Sequence, residues 1–527
     1  MNYKTIKEYV DQNYENPNNY FGAIIDNTVY SLNHSFYPNK KIELLKANTK
    51  DGFNILYRTM ILTIQLALNR IYPNKLVSVE HFIGRGLYLE FSRGVQVNRK
   101  FIDRLDEEIR KIIFEDIKII RKKVSLQEAL RIFKEHGYKE KTDLLETLDR
   151  EDVDIYFADK IPFTFHGYLA PSTSYITDFK LQIYHPGIVV LFKIDEDKDL
   201  FFEEEINLSK SFSKSKKWTN LLDIGYVHNV NEIIKDNQER LLIEVSEAYF
   251  ENEISKLCDE IVEDDDINFI LLAGPSSSGK TTTANRIKVQ LTVRGKKPFL
   301  ISTDDYFTSL SERVLLEDGK PDFESVNAID IKRFNEDMIS LLDGKAITLP
   351  KYNFEMGKSE TTNTKIYLDR NHPVLIEGTH ALNPELTKLI SEKNKYKIYI
   401  SSLTQLNLDM HNRISTTDVR LLRRLIRDAR YRNFSALNTL EHWESVLEGE
   451  RKYIFTYQDS ADFQLDSSLI YEINALKKYA KELLLEIGKE NAVYKEAKRL
   501  LKFLDYFIEL EDEKYIPINS VLREFIG

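Results

Sequence analysis

The chain has 527 residues, 42% of them hydrophobic and 30% charged, with a formal net charge of −10 and a sequence pI near 5.7. That length exceeds one ordinary core and predicts two to four globular domains, while the acidic balance argues against non-specific adhesion to nucleic acid or anionic membrane. A single cysteine, Cys258, excludes an intrachain disulfide and a cysteine-cluster metal site; with no apolar leader and no run of about 18 apolar residues, a cytoplasmic address without membrane contact is expected.

In chain order, FGAIIDNTVYSL predicts a small hairpin turning at Asp26-Asn27, FNILYRTMILTIQLALNRIYP a helix, and VSVEHFIGRGLYLEF a second hairpin around Gly84 and Gly86. Long charged helices are expected through Arg121, and Ser125–Glu128 (SLQE) reads as a capping box opening another. The first 225 or so residues thus form an α+β region, followed by a helical connector from Asn229 to Val262. INFILLAG (Ile267 to Gly274) has the texture of a buried strand, and Ala284, Ile287 and Leu291 recur at helical spacing before a stop at Gly295 and Pro298. KPFLISTDDYF is a second strand candidate, ending in Asp304 and Asp305, HPVLIEGTHAL a third, ending at Glu377, and KYKIYISS a fourth. DIKRFNEDMISLLDG is a helix between them, closing on Gly344. Strands alternating with helices imply a parallel α/β sheet with its chemistry at the carboxyl ends of the strands. The tail from Asn474 to Phe507 is amphipathic helix, expected on that α/β core or on a partner subunit of a homo-oligomer.

Between the first strand candidate and its helix lies AGPSSSGKTT, in which Gly274, Gly279, Lys280 and Thr281 match G-x-x-x-x-G-K-[ST] fully. The glycines let the backbone curl so that N–H groups point inward at phosphates, Lys280 reaches the β and γ oxygens, and the Thr281 hydroxyl can ligate Mg²⁺. Gly274, Pro275, Ser276, Ser277, Ser278, Gly279, Lys280, Thr281 and Thr282 are therefore expected to hold ATP. No N-K-x-D guanine-reading motif accompanies the loop, and the roughly 200 residues of α/β around it suit a kinase acting on a small acceptor. Asp304 or Asp305 would then take the proton from an attacking alcohol, with Glu377 a metal-facing or water-holding acid. In TTDVRLLRRLIRDARYR, Val419, Leu422, Ile426 and Ala429 share one helical side, and Arg420, Arg423, Arg424, Arg427 and Arg430 the other. Few acids intervene, so this face is expected to close over a triphosphate as a lid.

The ordered motifs GPSSSGKTT, STDDYF, DFESVNAID, LPKYNF, VLIEGTHAL and RLLRRLIRD resemble the uridine kinase and phosphoribulokinase branch of phosphate-loop kinases over residues 265 to 470 or so. The resemblance implies Asp304 as the base facing a sugar 5′-hydroxyl, Thr281, Glu377 and Asp304 near Mg²⁺, and Glu324 on the ribose hydroxyls. It also implies Tyr352 in the base pocket, with Arg424 and Arg427 clamping phosphates. Gly357 stands where uridine kinases carry a pyrimidine-reading histidine, and Phe434 where an arginine is often found. Residues 20 to 45 or so resemble a degenerate TGS module. RTMILTIQLALNRIYPNKLVSVEHFIGRGLYLEF is similar to the second additional domain of threonyl-tRNA synthetases. The four zinc-ligand positions of that domain fall at Arg58, Leu62, Tyr168 and Ser172, so no zinc is expected.

The resulting division is a TGS-like module at 1–45, a synthetase-like domain at 46–225, a connector at 226–262, a kinase domain at 263–470 and a helical tail at 471–527. The expected activity is ATP- and Mg²⁺-dependent phosphorylation of a ribonucleoside 5′-hydroxyl, with uridine or cytidine the leading acceptor. One alternative is a kinase of another sugar-like alcohol. A nucleotide-switched RNA-binding regulator is the other, disfavoured by the acidic charge and the lost zinc ligands.

Overall fold

The computed structural model describes residues 3–194, 200, 202, 204–309, 325–353, 356–369, 371–404 and 406–527. Its carboxyl-terminal half is built on a five-stranded, wholly parallel sheet with spatial order Phe299–Ser302, Val374–Glu377, Phe269–Ala273, Lys395–Ser401, Phe463–Asp466. Every residue of the central strand Phe269–Ala273 is buried, as covering both faces of a parallel sheet requires. The helix Lys280–Val293 follows the loop and buries Ala284, Ile287 and Leu291, the positions its periodicity marks.

Two expectations need correction here. The second strand ends at Ser302, and Asp304 and Asp305 lie in a tight helical turn, Thr303–Tyr306. Strand alternation therefore does not set their directions. A fifth strand, Phe463–Asp466, extends the sheet without having been read from the sequence; its FQLD carries too short an apolar signal, with Leu465 its one buried residue.

The amino-terminal region carries the hairpin Tyr20–Ile25/Thr28–Ser31, with Asp26 and Asn27 both at positive φ as a tight two-residue turn demands. The helix Lys50–Ile71 packs on the antiparallel sheet containing Val77–Ile83 and Gly86–Phe91. Arg121 is not helical: the charged helix ends at Phe114, and Ile120–Ser125 is a strand paired with Asp152–Ala158. Ser125 nonetheless caps the next helix, accepting from the Glu128 N–H at 3.2 Å.

The tail forms the helices Glu472–Leu485 and Tyr494–Leu504, packed into the same apolar core as the parallel sheet. It also binds the halves together. Arg499 pairs with Asp418 and Glu496 at 2.6 and 2.8 Å, while Lys50 reaches Glu496 at 2.9 Å. A second tie is Lys141, fully buried beside Asp409 at 3.0 Å; the cost of desolvating both charges offsets much of their attraction. No helix among the described residues is long and apolar enough to cross a membrane.

Candidate active site

The loop curls at the carboxyl end of the central strand. Gly279 adopts a left-handed φ of 83°, and a β-carbon there would lie 2.5 Å from Val521 Cγ1. At Gly274 the obstruction is the Ile400 carbonyl oxygen, at 2.1 Å. Both glycines are thus required by the path of the loop. Lys280 Nζ folds back to donate to the Gly274 and Pro275 carbonyls at 2.9 and 3.0 Å. Burial holds its pKa below the ordinary lysine value, opposed by the nearby Glu377, Asp304 and Glu524.

Three carboxylates act electrostatically on that ammonium. Glu377, 7% exposed, closes its strand in register with Ser302, and burial together with Asp304 raises its pKa to about 7 against the pull of Lys280. Asp304 is also raised by burial, with Lys280, Arg432 and Arg427 opposing. Asp305 turns elsewhere: Lys351 pairs with it at 3.0 Å, and the Tyr352 N–H reaches it at 3.4 Å. The turn at Thr303–Tyr306 thus sends the two aspartates to different neighbours. Glu524 is the third acid near Lys280.

Tyr352 lies on the strand Ile347–Asn353, buried with its ring edge-on to Phe307 at 5.6 Å. Gly357 is at the turn of that hairpin with a φ of 64°. Glu324 lies outside the described residues.

The arginine helix, Thr416–Tyr431, differs from a simple two-faced lid. Arg420 and Arg423 are buried with the apolar side chains and fasten the back of the loop. Arg420 donates to the Ser276 carbonyl at 3.0 Å and pairs with Glu450, which accepts the Ser276 N–H at 2.8 Å. Arg423 pairs with Glu472 and donates to the Ser467 carbonyl at 2.9 Å, while Ser467 Oγ donates to the Ser278 carbonyl at 2.6 Å. Four of the five arginines are therefore paired within the protein, Arg420 with Glu450, Arg423 with Glu472, and Arg424 and Arg427 with Asp428. Of the arginines expected on phosphates, Arg424 donates to Ser276 Oγ at 2.9 Å, and Arg427 holds Asp428 at 2.8 Å. Glu450 and Glu472 escaped sequence reading because each looks like an ordinary charged residue on an amphipathic helix; only their complete burial distinguishes them.

The cradle suits a magnesium-bound triphosphate on three observations. The buried hydroxyls of Ser277, Ser278 and Thr303 have no hydrogen-bond partner among the described residues. The exposed Thr281 is in the first turn of the loop helix, and the acids beside it supply hard oxygen donors. Glu377, whose carboxyl burial pushes up to about 7, would be held ionised beside a divalent cation.

Residues 269–470 match the Phosphoribulokinase / Uridine kinase family. The amino-terminal region is similar to threonine–tRNA ligases. That of Bacillus velezensis is 30% identical over 141 residues, 27% of this chain and 22% of the ligase. That of Finegoldia magna is 25% identical over 130 residues, 25% and 20% of the two chains. The chain thus spans about a fifth of the length of these ligases. Among solved structures, a possible uridine kinase from Bacillus stearothermophilus aligns with a TM-score of 0.24 and 21% identity, covering 28% of this chain and 79% of that one. A putative fructose transport system kinase from Silicibacter sp. aligns at 0.29 and 14%, covering 40% and 98%.

Proposed function

We propose that this chain, whose residues 269–470 form a phosphate-loop kinase domain of the phosphoribulokinase / uridine kinase family, transfers the γ-phosphoryl group of ATP to the 5′-hydroxyl of a ribonucleoside, uridine or cytidine foremost. What supports the reading is the phosphate loop together with the electrostatic action of Asp304 and Glu377 on Lys280 at its end. A bound Mg²⁺ would spread the charge of the transferred phosphoryl group. Thr281, Glu377 and Asp304 are the residues to hold it.

Asp304 accepts the proton of the attacking hydroxyl: its basicity is raised by burial, which suits a base that must take a proton near neutrality. Lys280 leaves the carbonyls of its own loop and turns to the phosphate oxygens, while Arg424 and Arg427 lie beside the loop to complement negative charge. Tyr352 and Phe307 form an aromatic wall next to Asp305 that suits a flat base. The synthetase-like region serves regulation, assembly or substrate sensing.

Replacing each aspartate by asparagine tests the assignment. Under saturating ATP and uridine, Asp304→Asn should lower kcat by about 10² to 10⁴, the ordinary worth of a positioned base. Asp305→Asn, which touches Lys351 and the hairpin backbone, should cost far less. A larger loss at Asp305 moves the base by one residue; negligible loss at both removes the catalytic carboxylate.

A further inference from the structure

The first-turn N–H groups of a helix have no acceptor within the helix, and in a phosphate loop they face the ligand. Here one is already taken. The Thr282 N–H reaches Glu524 Oε2 at 3.3 Å, and the Thr282 hydroxyl donates to the same oxygen at 2.9 Å. Glu524 also acts electrostatically on Lys280 and Glu377.

The segment that carries it is docked, not draped. Val521, Leu522, Phe525 and Ile526 are buried, Val521 abuts Gly279, Ser520 Oγ donates to Glu247 at 2.5 Å, and Arg430 donates to the Ile526 carbonyl. Glu524 itself is only partly buried. Its side chain can therefore swing out while the apolar anchors stay seated.

We propose that Glu524 is an intramolecular competitor for phosphate, an acidic side chain seated at the amino end of the loop helix that a nucleotide must displace in order to bind. The inference rests on the loop being a nucleotide site. It gives the protein a threshold: anything that draws the 520–527 segment off the loop raises affinity for the phosphate-bearing ligand. That segment packs against the arginine helix, whose first turn is tied to the amino-terminal region through Arg499, Glu496 and Lys50, so a route from the distant domain exists in the contacts.

Calorimetric titration of ATP with Mg²⁺, ADP and adenosine into the full chain tests this. Glu524→Gln keeps the shape and loses the charge, Glu524→Ala removes both, and exposed Glu511→Gln matches the change in net charge. The expected result is about tenfold tighter ATP and ADP binding in both Glu524 variants, the scale of a charge-assisted hydrogen bond partly screened by solvent, with adenosine unchanged and Glu511→Gln within about twofold of wild type. Equal affinity in wild type and Glu524→Gln, or an equal gain from Glu511→Gln, would make Glu524 a helix cap only. Weaker binding in the Glu524 variants would make it a ligand contact. Folded protein that binds ATP in no variant would overturn the nucleotide reading, and this inference with it.

Discussion

Glu377→Gln should make the metal-free kinase domain more stable at alkaline pH, against the usual expectation for a change inside an active site. Glu377 is 7% exposed and titrates at about 7, against 4.5 for an unhindered glutamate, because burial and Asp304 outweigh Lys280. In that interval the folded protein holds a proton that the unfolded chain has released. Stability must therefore fall as pH rises from 4.5 to about 7 and stay low above it. The interval corresponds to about 3 kcal/mol at full ionisation, a large fraction of the stability of a typical domain. Glutamine cannot ionise, so the variant should lose this slope and be the more stable chain at pH 8 by a sizeable part of that amount. Hydrogen exchange in EDTA, followed at the Val374–Glu377 strand from pH 5 to 8, reads the difference directly, because subtracting one chain from the other cancels the intrinsic pH dependence of exchange. Parallel profiles for the two chains would show that Glu377 is not the strained acid, and adding Mg²⁺ with ATP should relieve the strain in wild type only.

Lys280→Ala should abolish turnover with the far-UV spectrum unchanged, since the ammonium meets loop carbonyls and not the core; wild-type turnover in a folded variant would overturn the kinase assignment. Arg423→Met should destabilise by about 3 to 5 kcal/mol, because Glu472 is left buried and unpaired, whereas Arg423→Met with Glu472→Leu should recover most of that loss in a urea titration. Elemental analysis should find no stoichiometric zinc, since Arg58, Leu62, Tyr168 and Ser172 offer neither imidazole nor thiolate. One tightly held zinc per chain would mean that those positions are wrongly aligned.

What could be read from the chain divides along physical lines. The loop, its flanking strand and helix, and the strand ending at Glu377 were legible because each is specified locally, by glycines at fixed spacing, by periodic burial or by a continuous apolar run. Asp304 and Asp305 were singled out in the sequence but assigned to the wrong backbone, a strand end: a turn of four residues carries no periodic signal. The arginine helix was legible as amphipathic and not as a clamp. Neutralisation of Arg420 and Arg423 depends on Glu450 and Glu472, 30 and 49 residues away, and nothing in spacing reports a partner at that distance. Glu524 was invisible for the same reason, lying 242 residues from Thr282.

The measurement that bears most directly on the central claim is a turnover screen of the purified chain with ATP, Mg²⁺ and a panel of ribonucleosides, with free sugars and other sugar-like alcohols included as rivals. Appearance of the 5′-monophosphate of uridine or cytidine, at a rate well above ATP hydrolysis in water alone, is the predicted result. Phosphorylation of a rival alcohol while every nucleoside is left untouched, or ATP hydrolysis with no acceptor phosphorylated, would contradict it.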